Sequence, residues 1–236
     1  IQYFLENAEP SVVVCSSKNL SWISKVAAKT GTKHVFTLDE NRTGSLLERA
    51  ANLSGQFKTV PAKDGDLAAI LYTSGTTGRS KGAMLTHKNL GSNAEVLQKF
   101  WGWKKGDVLL HALPIFHVHG LFVAAHGALI NGSKMIWLPR LDTAQLIKHM
   151  PQSTVMMGVP TFYVRLLADK GFNKKVARNM RLFISGSAPL LTETFNTFEK
   201  VIGQPILERY GMSETVMLVS NPYKGKRVGG SVGVPL

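Results

Sequence analysis

Residues Thr73-Ser74-Gly75-Thr76-Thr77-Gly78-Arg79-Ser80-Lys81-Gly82 put five hydroxyl side chains, three glycines and a lysine into ten positions. Glycine lets backbone N–H groups come close to an anion, hydroxyls add donors, and Lys81 adds a positive charge, so the segment reads as a cradle for phosphate. It departs from the Walker A pattern, because no glycine immediately precedes Lys81 and Gly82 follows it where serine or threonine would be needed. A flexible Ser/Thr/Gly linker is the plain alternative. A linker has no need of the strand expected before it at 68–72 or the helix expected after it near 88–100. The second chemistry-bearing feature is the pair His117 and His119, separated only by Val118. Two imidazoles at this spacing could share a metal, yet no third ligand stands at a supporting distance, which leaves zinc unsupported.

Such residues need a frame. Val12-Val13-Val14 reads as a short buried strand, 20–29 as a helix and 34–38 as a second strand, a βαβ rhythm. Residues 41–66 are more polar, carry Gly44, Gly55, Pro61 and Gly65, and read as a connection with one short helix around 46–50. Strands at 68–72, 108–110, 134–138, 155–158, 182–185 and 206–209 then alternate with helices at 88–100, 121–129, 143–150, one opened by Pro160, and 194–202. This alternation predicts an α/β fold, with mostly parallel sheets covered by helices on both faces. Ligands of such sheets lie beyond the carboxyl ends of the strands, where the loops starting at Thr73, Ser185 and Tyr210 should fall.

Composition narrows the classes. The chain has 236 residues, 28 Lys+Arg against 15 Asp+Glu, 44% hydrophobic residues and one cysteine. That mixture excludes a disordered tail, a collagen-like repeat and a coiled coil. Cys15 cannot form an internal disulfide, which argues against a stapled secreted scaffold, and it reads as packed in the first βαβ unit. No run approaches the roughly 18 apolar residues of a spanning helix. The net charge of +13 raises nucleic acid as a partner. The charge is spread, however, densest at Lys170, Lys174, Lys175, Arg178 and Arg181 and again at Lys224, Lys226 and Arg227, with no zinc-finger or RNA-binding signature beside it. A solvated basic face that favours small anionic substrates is the simpler reading, so nucleic acid is not expected as a partner.

The segment 72–82 resembles the phosphate-binding motif of the adenylate-forming enzymes, the superfamily of acyl-CoA synthetases, luciferases and peptide-synthetase adenylation domains. Two further segments agree in order and type. Ser185-Gly186-Ser187-Ala188-Pro189-Leu190 is similar to that superfamily's adenine-side loop, and Glu208-Arg209-Tyr210-Gly211-Met212-Ser213-Glu214-Thr215 to its second nucleotide and metal motif. The likeness is greatest to the malonyl-CoA synthetases. It rests on His111-Ala112-Leu113-Pro114-Ile115-Phe116-His117-Val118-His119-Gly120, on Met157-Gly158-Val159-Pro160-Thr161-Phe162-Tyr163-Val164-Arg165, and on the stretch 180–190. The resemblance implies a partial N-terminal α/β subdomain at 1–65, an AMP-binding α/β subdomain at 66–236, and a mobile C-terminal domain that has no counterpart in this sequence.

It also implies a two-step reaction. A carboxylate attacks the α-phosphate of ATP to give an acyl adenylate and pyrophosphate, and the thiol of CoA then displaces AMP to give a thioester. By resemblance, Thr73 and Glu214 hold Mg²⁺, a hard cation suited to oxygen ligands. Ser74, Gly75, Thr76, Thr77 and Gly78, together with Lys81, hold the β- and γ-phosphates. Ser187, Ala188, Glu208, Arg209 and Tyr210, with Gly211 and Met212, line the adenine pocket, where Tyr210 stacks on the base, and Ser213 reaches the α-phosphate. His117 lies beside the reacting carboxylate, with Ser187 also on the acyl side. The same likeness places Arg165 on a helix lining the acyl pocket, where a guanidinium would pair with the second carboxylate of malonate or a similar dicarboxylate. A surface arginine is the alternative.

Other readings stay open. They are a CoA ligase for another carboxylic acid, an amino-acid-activating domain, a nucleotide-binding module without turnover, and a nucleic-acid binder. The sequence begins at Ile1 and stops within what reads as a strand at 232–236, so a piece of a longer protein is expected, working in the cytoplasm or the mitochondrial matrix.

Overall fold

The computed structural model describes residues 1–74 and 78–236. They divide into two units, Ile1–Ala62 and Lys63–Leu236. In the first, α1 (Gln2–Ala8) precedes β1 (Val12–Cys15), α2 (Leu20–Lys29), β2 (His34–Thr37) and α3 (Ser45–Ala51). β1 and β2 pair in parallel from Val12↔His34 to Cys15↔Thr37, with α2 as the crossover. Ile23 and Ala27 of α2 are buried, and their spacing of four puts them on one helical face. Burial and then the Asp39 carboxylate raise the pKa of the Cys15 thiol, which keeps it protonated at neutral pH.

The second unit contains β3 (Leu67–Thr73), β4 (Lys81–Thr86), α4 (His87–Phe100) and β5 (Val108–His111). A π-helical turn over His119–Ala125 runs into α5 (His126–Ile130), followed by β6 (Lys134–Trp137), α6 (Thr143–His149), β7 (Val155–Gly158) and α7 (Pro160–Ala168). Then come β8 (Leu182–Ser185), α8 (Thr192–Ile202), β9 (Leu207–Met212), β10 (Val216–Ser220) and β11 (Val234–Pro235). The main sheet has seven strands in the order β11-β10-β9-β8-β7-β5-β6. β6, β5, β7, β8 and β9 run parallel, and β10 and β11 are antiparallel additions. The α/β class with a mostly parallel sheet is the one the alternation predicts.

Two strands depart from expectation. The loop expected over 73–82 ends early, because Lys81–Thr86 is β4, paired antiparallel with β3 from Leu67↔Thr86 to Thr73↔Lys81. Met84 is exposed and Leu85 buried, the alternation of a strand, but it covers too few residues to stand out beside the glycines. β3 therefore belongs to a separate two-stranded sheet, not to the main one. The expected helix then starts at His87, where Thr86 and Asn89 form a reciprocal capping box. β10 was not anticipated at all, since Val216-Met217-Leu218-Val219 shows no alternation.

The core lies between the sheet and its helices. All four residues of β7 and of β8 are buried, as expected for central strands covered on both faces. Phe198 of α8 meets Tyr163 of α7 and Phe183 of β8 edge-on, with ring centroids 5.4 and 4.9 Å apart. At the amino edge of the sheet, Asp107 accepts hydrogen bonds from Arg181 Nε at 2.8 Å, Thr154 Oγ1 at 2.8 Å and the Lys104 N–H at 2.7 Å. Trp101 is fully buried just after α4 and donates to Ser220 Oγ at 2.9 Å, closing the helix end against the core. No helix among the described residues is long and apolar enough to cross a membrane.

Candidate active site

Polar side chains collect at the carboxyl edge of the main sheet and at the end of β3. Thr73, the last residue of β3, donates from Oγ1 to Glu214 Oε1 at 3.3 Å across 141 positions of sequence. Lys81 stands opposite Thr73 in the hairpin ladder, so it is one pairing step from that contact. Gly78 and Ser74 flank the hairpin tip and are exposed. Gly75, Thr76 and Thr77 lie outside the described residues.

Three cavities share one wall residue, Ser187. The first, about 280 Å³, is lined by Thr73, His117, Ser187, Arg209, Gly211, Met212, Ser213 and Glu214, among others. The second, about 390 Å³, is lined by Ser187, Ala188, Glu208, Arg209, Tyr210 and Gly211 with Leu190 and Val232. The third, about 270 Å³, is mainly apolar, with Leu113, Phe116, Val159 and Phe162 joined by His117, His119 and Ser187. Polar, ring-sized and apolar spaces thus meet at one side chain. Ser187 adopts a left-handed backbone, φ +68, which is strained for a residue with a Cβ. Two glycines permit the approach. A Cβ on Gly186 would strike the Arg209 guanidinium, and one on Gly120 would strike the Pro114 carbonyl beneath the π turn.

Arg209 is the electrostatic centre. Its residue is 2% exposed, it lines the first two cavities, and Nε and Nη2 have no hydrogen-bond partner among the described residues. Burial pushes its pKa down to about 10, which leaves it charged at neutral pH. A buried unpaired guanidinium is costly unless an anion completes it. Its neighbour Glu208 accepts from the Leu190 N–H through Oε1 at 3.0 Å, while Oε2 has no partner among the described residues. Burial raises the Glu208 pKa, with the Leu190 N–H opposing.

His117 and His119 are uncharged at neutral pH. Burial, followed by the charge of Arg209, lowers the pKa of both His117 and His119, and His119 lies well below the ordinary value. His117 Nδ1 accepts the His119 backbone N–H at 3.2 Å, and His119 Nδ1 lies 3.1 Å from Ser187 Oγ. Deeper still, His111 packs edge-on against Trp137 at 4.4 Å, with neither ring nitrogen partnered among the described residues, and burial lowers its pKa to about 4.

Thr73 and Glu214 offer two hard oxygen donors, and no three His, Cys, Asp or Glu side chains converge as a metal cage among the described residues. That donor set suits Mg²⁺, which typically binds one or two carboxylates and completes its shell with water and substrate phosphate. Arg165 sits apart from these cavities. It is exposed on α7, one turn after Phe162, and makes no ion pair among the described residues, because it is Phe162 that α7 turns into the apolar cavity.

Comparison with known proteins places this geometry. The model of the AMP-binding enzyme family matches residues 1–236. The chain belongs to the AMP-binding enzyme family. Within that family, it is 36% identical to the mitochondrial malonate–CoA ligase of Mus musculus and 32% identical to the malonate–CoA ligase of Arabidopsis thaliana. The first match covers 100% and the second 99% of this chain, and each covers 42% of the relative. The ATP-bound crystal structure of MatB from Rhodopseudomonas palustris is 51% identical, with a TM-score of 0.96 over 100% of this chain and 46% of that one. The chain thus spans less than half the length of these AMP-binding relatives.

From sequence, Arg209 is grouped with the adenine wall, and His119 is weighed only as half of a metal-binding pair with His117. The structure puts Arg209 on two cavities at once and ties His119 to Ser187. One signal was available for Arg209: Glu208 and Arg209 are adjacent charges on an otherwise apolar strand, a placement that burial tolerates only at a price in free energy.

Proposed function

We propose that this chain carries the adenylation site of an ATP-dependent acid–thiol ligase that activates malonate, or a similar dicarboxylic acid, and transfers it to CoA. The observation that carries the reading is Arg209, a buried guanidinium with unpaired donors on the wall shared by the first two cavities. A monocarboxylate needs no such cation beyond the groups that hold phosphate, whereas a second carboxylate would complete it. Malonate–CoA ligases among the relatives support the same substrate class.

In this reading, ATP lies with its base in the cavity of Ala188 and Tyr210 and its phosphates towards Thr73, Ser213 and Lys81. Bound Mg²⁺ would supply charge neutralisation at the phosphates, held by Thr73 and Glu214. Gly75, Thr76, Thr77 and the flanking Ser74 and Gly78 would add donors to the β- and γ-phosphates. His117 and Ser187 face the reacting carboxylate, and fixed donors there stabilise the charge that develops on the α-phosphate without reorganising. The apolar cavity of Phe116, Val159 and Phe162 excludes water from the acyl adenylate. Arg165, one turn from Phe162, is a second candidate contact for the acid. A cytoplasmic or mitochondrial-matrix location would supply ATP and CoA. The test is kcat/KM of the whole protein for malonate, acetate and a medium-chain acid. Malonate should be preferred, and equal or better use of a monocarboxylate would refute the assignment.

A further inference from the structure

We infer that His119 is a positioning residue whose imidazole turns Ser187 into a hydrogen-bond donor towards the bound acid. The inference rests on the proposed function for the identity of the ligand, but not for the proton arrangement. His119 Nδ1 and Ser187 Oγ are 3.1 Å apart, the ring is 1% exposed, and Nε2 has no partner among the described residues.

A neutral imidazole has two tautomers, and the burial distinguishes them. If Ser187 donated to Nδ1, the ring proton would sit on Nε2 as a buried N–H with no acceptor. If Nδ1–H donates to Ser187 Oγ, the unpartnered site is only a lone pair. Orphaned buried N–H groups are the rarer of the two. Nδ1–H therefore donates to Ser187 Oγ. With that acceptor position filled, the hydroxyl proton of Ser187 is free to point elsewhere, and Ser187 borders all three cavities.

The same residue acts a second time through its main chain. Its backbone N–H bonds to His117 Nδ1 at 3.2 Å, so neutral His117 carries its proton on Nε2. One residue thereby sets two donors, Ser187 Oγ–H and His117 Nε2–H, beside the unpaired N–H groups of Arg209. All three present a hydrogen and call for a lone pair, which matches a carboxylate or acyl phosphate and mismatches a ligand that presents donors of its own.

The experiment combines imidazole ¹⁵N NMR of the whole protein with kinetics of His119→Phe, His119→Asn, Ser187→Ala and His119→Phe/Ser187→Ala. His119 should show a protonated Nδ1 and an unprotonated Nε2 at neutral pH. His119→Phe should raise KM for malonate about tenfold, the loss of one hydrogen bond to a charged group, with a smaller change in KM for ATP. His119→Asn, which can donate from Nδ2, should recover most of that loss, and the double variant should be no worse than Ser187→Ala. A protonated Nε2 on His119 would overturn the inference. So would equal impairment of the folded Phe and Asn variants, or an unchanged malonate KM in His119→Phe. If the wild-type protein activated no acid, the functional reading would fall and the NMR tautomer alone would decide the role of His119.

Discussion

Two arginines stand at opposite edges of one sheet, Arg181 half-buried and Arg209 buried, and they are provided for in opposite ways. Arg181, at the amino edge, pairs with Asp107 and donates to it from Nε at 2.8 Å, and its guanidinium carbon lies 5.2 Å from the Tyr223 ring centroid. Burial opposes its charge, yet the bonds with Asp107 and Tyr223 prevail and raise its pKa. Arg209, at the carboxyl edge, is more deeply buried, lacks such partners among the described residues, and has its pKa lowered by that burial. The difference teaches that burial of charge alone does not mark function. A completed pair holds the fold together, whereas an uncompleted one is costly to the fold and marks a candidate for ligand binding.

Breaking each arginine separately should separate the two roles. Arg209→Met should reduce malonate-dependent ATP–pyrophosphate exchange by about a hundredfold or more, the usual cost of truncating a buried charge partner. Its melting temperature should not fall, since the substitution removes an unpaired buried charge. Arg181→Met should do the reverse. It strands the Asp107 carboxylate, whose residue is 4% exposed, and should destabilise by about 3–5 kcal/mol, read as a melting temperature lower by about 10 °C with malonate KM unchanged.

Acid should sharpen the contrast. His111 and His119 are buried neutral, with pKa values below the ordinary 6.5, to about 4 for His111. The unfolded chain binds more protons than the folded one below pH 6.5, so stability present above that pH is lost as pH falls from 6.5 towards 4. Asp107 acts lower. Burial works to raise its pKa, but hydrogen bonds from Arg181, Lys104 and Thr154 bring it below 3.8, so its contribution is lost only beneath that value. Denaturant midpoints measured against pH should therefore fall first in the histidine window, and His111→Gln should flatten that part of the curve. The smallest effect belongs to Arg165→Ala. An exposed cation contributes about 0.2–1 kcal/mol, so malonate KM should rise a few-fold at most, far less than with Arg209→Met.

The parallel sheet was legible because its strands are short apolar runs separated by amphipathic helices, as at 155–158 and 182–185. The hairpin β3–β4 was not, because the glycines and hydroxyls around Gly78 mask a strand whose alternation covers only Ala83 to Leu85. In the site, Thr73, Glu214 and Ser187 stand inside recognisable motifs, and the resemblance already set Thr73 and Glu214 on one ion, as their contact in the structure allows. Residue types alone could not reveal that Ser187 borders three cavities, since that depends on contacts between residues far apart in the chain. Arg165 stands at a suggestive place in a motif, and α7 leaves it exposed while its neighbour Phe162 lines the apolar cavity, so its part in binding the acid is what Arg165→Ala reads.

The central claim is that the unpaired guanidinium of Arg209 reads the second carboxylate of the acid. Its most direct test is the ratio of kcat/KM for malonate to that for propionate, measured in the wild-type protein and in Arg209→Met. The ratio should favour malonate strongly in the wild type and collapse or invert in the variant. A ratio that Arg209→Met leaves unchanged would contradict the account.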